Sequence, residues 1–504
     1  MRQALQPLNR AYKRSSFSLP APVGGWNTRD AISSMGMEFA SVLDNFIPRQ
    51  RYLELRGGVK KVVDLANLET LVSYEYNGIK KMIAGGGGSL HLCDVFDGTS
   101  SVLKSGFANN RWQDFFFKGN RYLMNGADNM QVYNGTTLED AAFTGTDFDG
   151  TKIIAGTLYR NRPILIEKDS LAFWYTTAAG AVSGPVERFD LAQLSRAGGE
   201  IMLAENWTQD GGDGQDDQIV FITSQGEAFV YSGSNPADAN NWALKGIYRV
   251  PRPISRRGVE KLGGDIVYLS EEGYFLLSNL LAPVISNKAI AFSNTIEGAV
   301  KDARSSFGNF GWQIKAFPSE SLLIVNVPKT GTVSEQHVMD TSTGSWCRFR
   351  DIPAVQWTPL NGTPYFCNAS GIYKAQEGYD DEGEYIKAGF QYAYTDLGVP
   401  LLKQIKEVQV FLSAFDTLQF SLTGSVDFKD AKTIFKASPA ANESSWDTSE
   451  WDITPWASES AAFSKRICPT LPTGQFFSFG ITTQSKQQPI KFLNLNLFYV
   501  VGKN

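Results

Sequence analysis

DQIVFITSQGEAFVYSG, residues 217–233, is two apolar runs about a turn of Ser, Gln and Gly, the pattern of a β-hairpin. Six more stretches follow the same pattern: 79–95, 120–135, 161–177, 264–279, 336–349 and 362–378. Leu90, Met130, Leu171, Ala228, Tyr274 and Ile372 mark the second strand of six of them. The first five markers stand 40, 41, 57 and 46 residues apart, and the last gap of 98 leaves room for two units. A period of about 40–50 residues with several strands per unit points to a β-propeller. One blade cannot bury its own faces, so neighbours must stack about an axis. The fold class expected is all-β, with a β-propeller of six or seven blades.

Working outward, three regions are expected. Residues 1–60 carry no hairpin repeat and read as an N-terminal extended arm and propeller-closing segment. Residues 61–380 are the propeller, and the acidic turn EGYDDEGE (377–384) reads as a linker. Residues 381–504 contain period-two runs such as KQIKEVQVFLSA (403–414) and IKFLNLNLFYVV (490–501), expected to form a C-terminal antiparallel β-sandwich. Two stretches read as helix. MEFASVLDNF (37–46) puts Phe39, Val42, Leu43 and Phe46 on one helical face, and 287–303 does the same with Ile290, Ile296 and Val300.

Composition narrows the function. The 504 residues are 42 % hydrophobic and 20 % charged, which supports a folded core and excludes wholesale disorder. The 47 basic and 52 acidic residues leave a net charge of −5, without the basic excess of a phosphate-gripping protein. No run of apolar residues is long enough to span a membrane. The start of the chain carries Arg2, Arg10, Lys13 and Arg14 without an acid; it reads as a mobile or partner-binding arm. Cys93, Cys347, Cys367 and Cys468 are far apart and read as reduced thiols, not a disulfide frame or zinc site. Two histidines remove most His-based catalysis and metal ligation.

Local motifs mostly reduce to structure. AGGGGSL (84–90) lacks the Lys-Ser or Lys-Thr of a phosphate-binding loop and reads as a hairpin turn. Ser101-Val-Leu-Lys104 with Lys329-Thr-Gly331 copies two of three marks of serine β-lactamases, but Ser101 lies in strand-like sequence. DGGDGQDD (210–217) occurs once and reads as a solvated loop, not a calcium repeat. DTSTGSW (340–346) resembles the Asp-box turn of sialidase-like propellers, a structural turn with Asp on the backbone and Trp packed between blades. RVPRPISRR (249–257) reads as an exposed, proline-bent connection whose Arg249, Arg252, Arg256 and Arg257 are candidate interface residues. Trp446 and Trp451, in an acid-rich stretch, are the other candidates for glycan or protein contact.

One resemblance is specific. Gly24, Gly25, Trp26, Asn27, Arg29 and Asp30, then Leu43, Asp44, Asn45, Phe46 and Pro48, then Arg56 and Gly58 resemble the opening of a phage structural-protein family. Residues 213–242 and 397–410 resemble its middle and the first strands of its C-terminal sandwich. That family is the tail nozzle or tail hub (tail tubular) β-propeller protein of short-tailed bacteriophages. The resemblance implies a virion protein, assembled in the host cytoplasm, that forms a ring, commonly a hexamer, below the portal and adaptor proteins. Its partners would be itself, those proteins and other tail proteins, with double-stranded DNA passing through without specific binding. It implies no catalytic residue, cofactor or metal. Two alternatives stay open: a receptor- or glycan-binding propeller at a tail tip, and a glycan-cleaving propeller enzyme.

Overall fold

In a computed structural model, residues 14–210, 215–281, 291–414, 418–437, 461–486 and 488–502 are described. The chain divides into two compact units. One combines Met1–Gly58, Thr343–Arg348 and Gly378–Asn504; the other combines Val59–Ser342 and Phe349–Glu377. The fold is all-β, built from many small sheets.

The second unit contains seven strand groups, numbered here as sheets 1 to 7 in chain order, antiparallel apart from Phe143–Thr144, which runs parallel to Gly184–Asp190 in sheet 3. Their first strands are Leu68–Tyr76, Gln113–Phe117, Ile153–Tyr159, Ile201–Asp210, Val259–Leu262, Gln313–Phe317 and Gln356–Leu360. The repeated hairpin is the second and third strand of a sheet, as in Gln215–Thr223 with Glu227–Ser232. These two strands are covered on both faces, so their sequence is almost continuously apolar: Ala172–Thr176 is buried throughout. Fourth strands are far more open, and Thr99–Ser105 is mostly exposed, which hides them from a hydrophobicity reading. The stretch 336–349 breaks the pattern. Sheet 6 pairs Leu322–Pro328 with Ser334–Asp340, one strand earlier than the spacing suggested.

Apolar cores join sheets 1 and 2, 2 and 3, 3 and 4, and 4 and 5. Phe173 of sheet 3 stacks on Phe221 of sheet 4 at 4.5 Å between ring centroids. Val63, Leu71, Met82, Cys93, Cys367 and Ile372 form one core shared by sheets 7 and 1. Val59–Asp64 is the fourth strand of sheet 7, pairing with Gly371–Ala375, so the last sheet is completed by residues that precede the first.

The first unit corrects the expected arm. Ser15–Pro20 pairs with Ile490–Val501, and Leu53–Leu55 extends the same sheet. A second sheet runs from Gly25–Trp26 through Phe39–Asp44, Ile386–Tyr392 and Phe477–Ser485 to Gln419–Val426 and Lys432–Lys436. The two sheets meet through aromatic rings, with Phe390 4.7 Å from Phe492. The early strands alternate and need an apolar partner for their buried face; the C-terminal strands supply it. Phe39–Asp44 is a strand, not the expected helix. A register shift between Ala40 and Val42 puts Ala40 and Leu43, three apart, both at 0 % exposure, which mimics helical spacing. Helix does form at Glu297–Asp302, with Ile296 and Val300 buried, while Ile290 lies outside the described residues.

Because Ile372 is buried where sheet 7 pairs with Val63, Ile372→Ala should cost about 2–5 kcal/mol. A denaturant midpoint equal to wild type would show that this closure does not stabilise the unit.

Candidate functional site

The sheets of the second unit leave the inner edge of their first strands without a backbone partner, and polar side chains supply one. On Leu68–Tyr76, Arg257 Nη1 donates to Glu69 O at 3.0 Å, Leu71 N donates to Gln356 Oε1 at 2.8 Å, and Arg121 Nη2 donates to Ser73 O at 2.5 Å. On Gln356–Leu360, Trp357 N donates to Gln313 Oε1 at 2.6 Å and Trp357 O accepts from Gln313 Nε2 at 2.9 Å. On Ile201–Asp210, Arg256 Nη1 donates to Ile201 O at 2.8 Å. Each bond satisfies a backbone group that would otherwise be buried at a cost of about 1–3 kcal/mol.

These side chains and the first strands of sheets 2 to 7 bound a cavity of about 320 Å³. Its charged lining is mostly paired. Arg121 meets Asp114 at 2.7 Å, Lys315 meets Glu260 at 2.9 Å, and Lys261 holds Glu205 at 2.9 Å. Arg256 pairs with Glu200. Burial raises the Glu260 carboxyl while Lys315 opposes the rise. Burial brings the Arg257 guanidinium down to about 10, which leaves it charged at neutral pH.

The arginine stretch is therefore corrected in part. Arg249 and Arg252 are exposed. Arg256 is half-buried and Arg257 is only 7 % exposed, so these two point inward and hold strand edges. Trp446 and Trp451 lie outside the described residues, as do residues 211–214 of the acidic turn. Asp114, Arg121, Glu260 and Lys315 escaped the sequence reading. For Asp114 and Lys315 the available signal was a lone charge within a largely apolar first strand, QDFFF and QIKAF; Arg121, in the second strand NRYLM, and Glu260, beside Lys261 in VEKL, carried no such signal.

The residues that carry the family resemblance form a second constellation, in the first unit. Asn27 Oδ1 accepts from Arg29 N and Asp30 N, both at 3.0 Å. Asp44 takes both arms of Arg348 at 2.7 and 3.0 Å. Arg56 is fully buried, donates to Asn45 Oδ1 at 3.0 Å, and forks onto Asp381 at 2.9 and 2.7 Å. The 377–384 turn is thus anchored rather than a free linker. A Cβ on Gly58 would lie 2.0 Å from Asp380 O, and Gly25, at φ 89°, would set one 2.6 Å from Trp346 O.

Elsewhere in the second unit, Tyr274 Oη and His337 Nδ1 are 2.9 Å apart, joining sheets 5 and 6. His337 Nε2 is 3.6 Å and Lys329 Nζ 2.8 Å from Glu335 Oε1. At Asp340 the turn behaves as an Asp-box turn would, Oδ1 accepting from Ser342 N at 2.8 Å. Trp346, however, belongs to the first unit, where it pairs with Gly25. The four cysteines are free, and burial pushes the Cys93 and Cys367 thiols up to about 12. Among the described residues no group of His, Cys, Asp and Glu is placed to hold a metal, and no helix is long and apolar enough to cross a membrane.

The sequence matches no family model and no curated protein. Among solved structures it is similar to the computationally designed Ika8 protein, at TM-score 0.36 and 11 % identity over 66 % of this chain and 95 % of that one. It is similar to BBS1N in complex with ARL6DN at TM-score 0.38 and 8 % identity, over 64 % of this chain and 97 % of that one. For exo-beta-1,3-galactanase from Phanerochaete chrysosporium the values are 0.29 and 9 %, over 77 % and 95 %. Likenesses this faint bear on no activity.

Two outcomes test these clusters. Arg56→Met strands Asp381 and Asn45, and should cost about 3–5 kcal/mol by chemical denaturation; a change below about 1 kcal/mol would remove the network from the fold's supports. Burial opposes the Glu335 charge, but His337 and Lys329 outweigh it and hold the carboxyl at about 2, below its ordinary 4.5. Its contribution to stability is then complete above pH 4.5 and is lost as pH falls from 4.5 through 2. Glu335→Gln should flatten that part of an acid-unfolding curve; an unchanged slope would contradict the assignment.

Proposed function

We propose that this chain is a structural virion protein, a subunit of the ring at the tail nozzle or hub of a short-tailed phage. The seven sheets of the second unit are the blades of a propeller. Support for that shape comes from the cores that join sheets 1 to 5 in order, from the core shared by sheets 7 and 1, and from the closing strand Val59–Asp64. The strands of the first unit form a sandwich to which both ends of the chain contribute.

The observation that carries the functional reading is the fate of the resemblance residues. Asn27, Asp44, Asn45, Arg56 and Gly58 hold strand ends and turns together, as the recurring residues of a scaffold should. The cavity carboxylates are each engaged by a cation, which suits a wall better than acid–base chemistry. A net charge of −5 suits a conduit, since every phosphate neutralised would add affinity and slow the passage of DNA. Rings of this kind arise from head-to-tail contacts that close by rotation, and exposed Arg249 and Arg252 are available for such contacts.

One observation favours the receptor-binding alternative. Phe428 is 47 % exposed with φ 61°, a conformation costly for a bulky side chain, and its ring lies 4.3 Å from that of Tyr394, which lines a cavity of about 310 Å³.

Electron microscopy of the purified chain, beside assembled tails, tests the first reading. Rings with an open pore are expected; monomers alone in both samples would overturn it. A glycan array run in parallel should be blank. Binding that disappears in Phe428→Ala would move the assignment to the second reading.

A further inference from the structure

The charge balance of the cavity in the second unit is incomplete. Asp114, Glu205, Glu260 and Glu200 are matched by Arg121, Lys261, Lys315 and Arg256. Arg257 is left over. Its guanidinium donates only to uncharged acceptors: Glu69 O, Thr70 Oγ1 and Trp112 O, each at 3.0 Å. It makes no ion pair among the described residues, and one face rests on the Phe310 ring at 4.9 Å. Arg257 and Arg121 both line the cavity, and the Nε–H of each is buried without a protein hydrogen-bond partner.

Among the described residues no carboxylate contacts Arg257: Asp114 and Glu69 attract it only from a distance and are already paired with Arg121 and Arg111. A buried cation compensated only in this way is unfavourable, and an unpaired charged donor adds to that cost. Water can satisfy an N–H but cannot neutralise the charge. The cavity has room: at a water's share of about 30 Å³ it would hold an oxyanion with several waters around it. Guanidinium N–H groups match the oxygens of phosphate and sulfate in geometry as well as sign.

We propose that this cavity binds one small tetrahedral oxyanion, of the phosphate or sulfate class, against the Nε–H of Arg257, with Arg121 and Lys315 contributing to the positive field. The anion completes the charge balance where strand edges of several sheets converge, so it acts as a structural ligand. The inference depends on the cavity alone and is independent of the ring assignment.

Equilibrium dialysis of the full chain against inorganic phosphate, in chloride-free zwitterionic buffer, tests it. Saturable binding of close to one phosphate per chain is expected, displaced by sulfate and only weakly by chloride. Arg257→Gln should weaken binding at least tenfold, while Arg51→Gln, a substitution at an exposed arginine, should leave it unchanged. If Arg257→Gln does not fold, Arg257→Lys keeps the charge but removes the Nε–H, and should still weaken binding at least fivefold. Non-saturable uptake by the wild type, or equal affinity in the wild type and the folded Arg257 variant, would overturn the proposal and leave a cavity filled by water.

Discussion

Small sheets that pack face against face leave a problem at their inner edges. The first strand of each has one side hydrogen-bonded to its neighbour and the other side bare. Water cannot serve every such group in a packed interior. Here Arg257, Gln356 and Arg121 reach three alternate residues of Leu68–Tyr76, and Gln313 closes a reciprocal pair with Trp357. Asn326 extends the scheme, donating to Gly311 O and Ala354 O while accepting from Gln336 and from the Trp357 indole. The polarity at the middle of the second unit follows from this constraint, and so does the charged lining of its cavity.

The first unit meets a different demand. Its strands come from both ends of the chain, so their association carries a loop-closure cost that local sequence cannot offset. Buried Arg56, joined to Asn45 and Asp381, and the paired arms of Arg348 on Asp44 fasten segments more than 300 residues apart. Gly25 and Gly58 occur where the backbone passes too close for a side chain. Among the motif residues, substitution of Asp44 or Arg56 would leave a charge stranded, and substitution of Gly25 or Gly58 would block a close backbone approach.

The repeated hairpins could be read because second and third strands are covered on both faces and carry long apolar runs. First strands of the same sheets could not be read as cavity walls, since one Asp, Glu or Lys in five residues looks like an ordinary exposed position. Arg257 misled for a related reason. Beside Pro251, Pro253 and three other arginines it has the surroundings of a surface loop, and only contacts with residues 145 to 188 positions away make it a buried donor. Residues 37–46 misled through a bulge, which turns a period of two into a spacing of three and so imitates a helix.

Composition and pattern were enough to determine an all-β chain, its hairpin repeat and the strand character of the C-terminal segment, because alternation and turn chemistry act between near neighbours. Only tertiary structure decided that the first strands of the chain complete sheets made by the last, and which polar side chains serve as edge partners. Those outcomes depend on which groups remain unpaired after the sheets assemble, a property no local stretch of sequence contains.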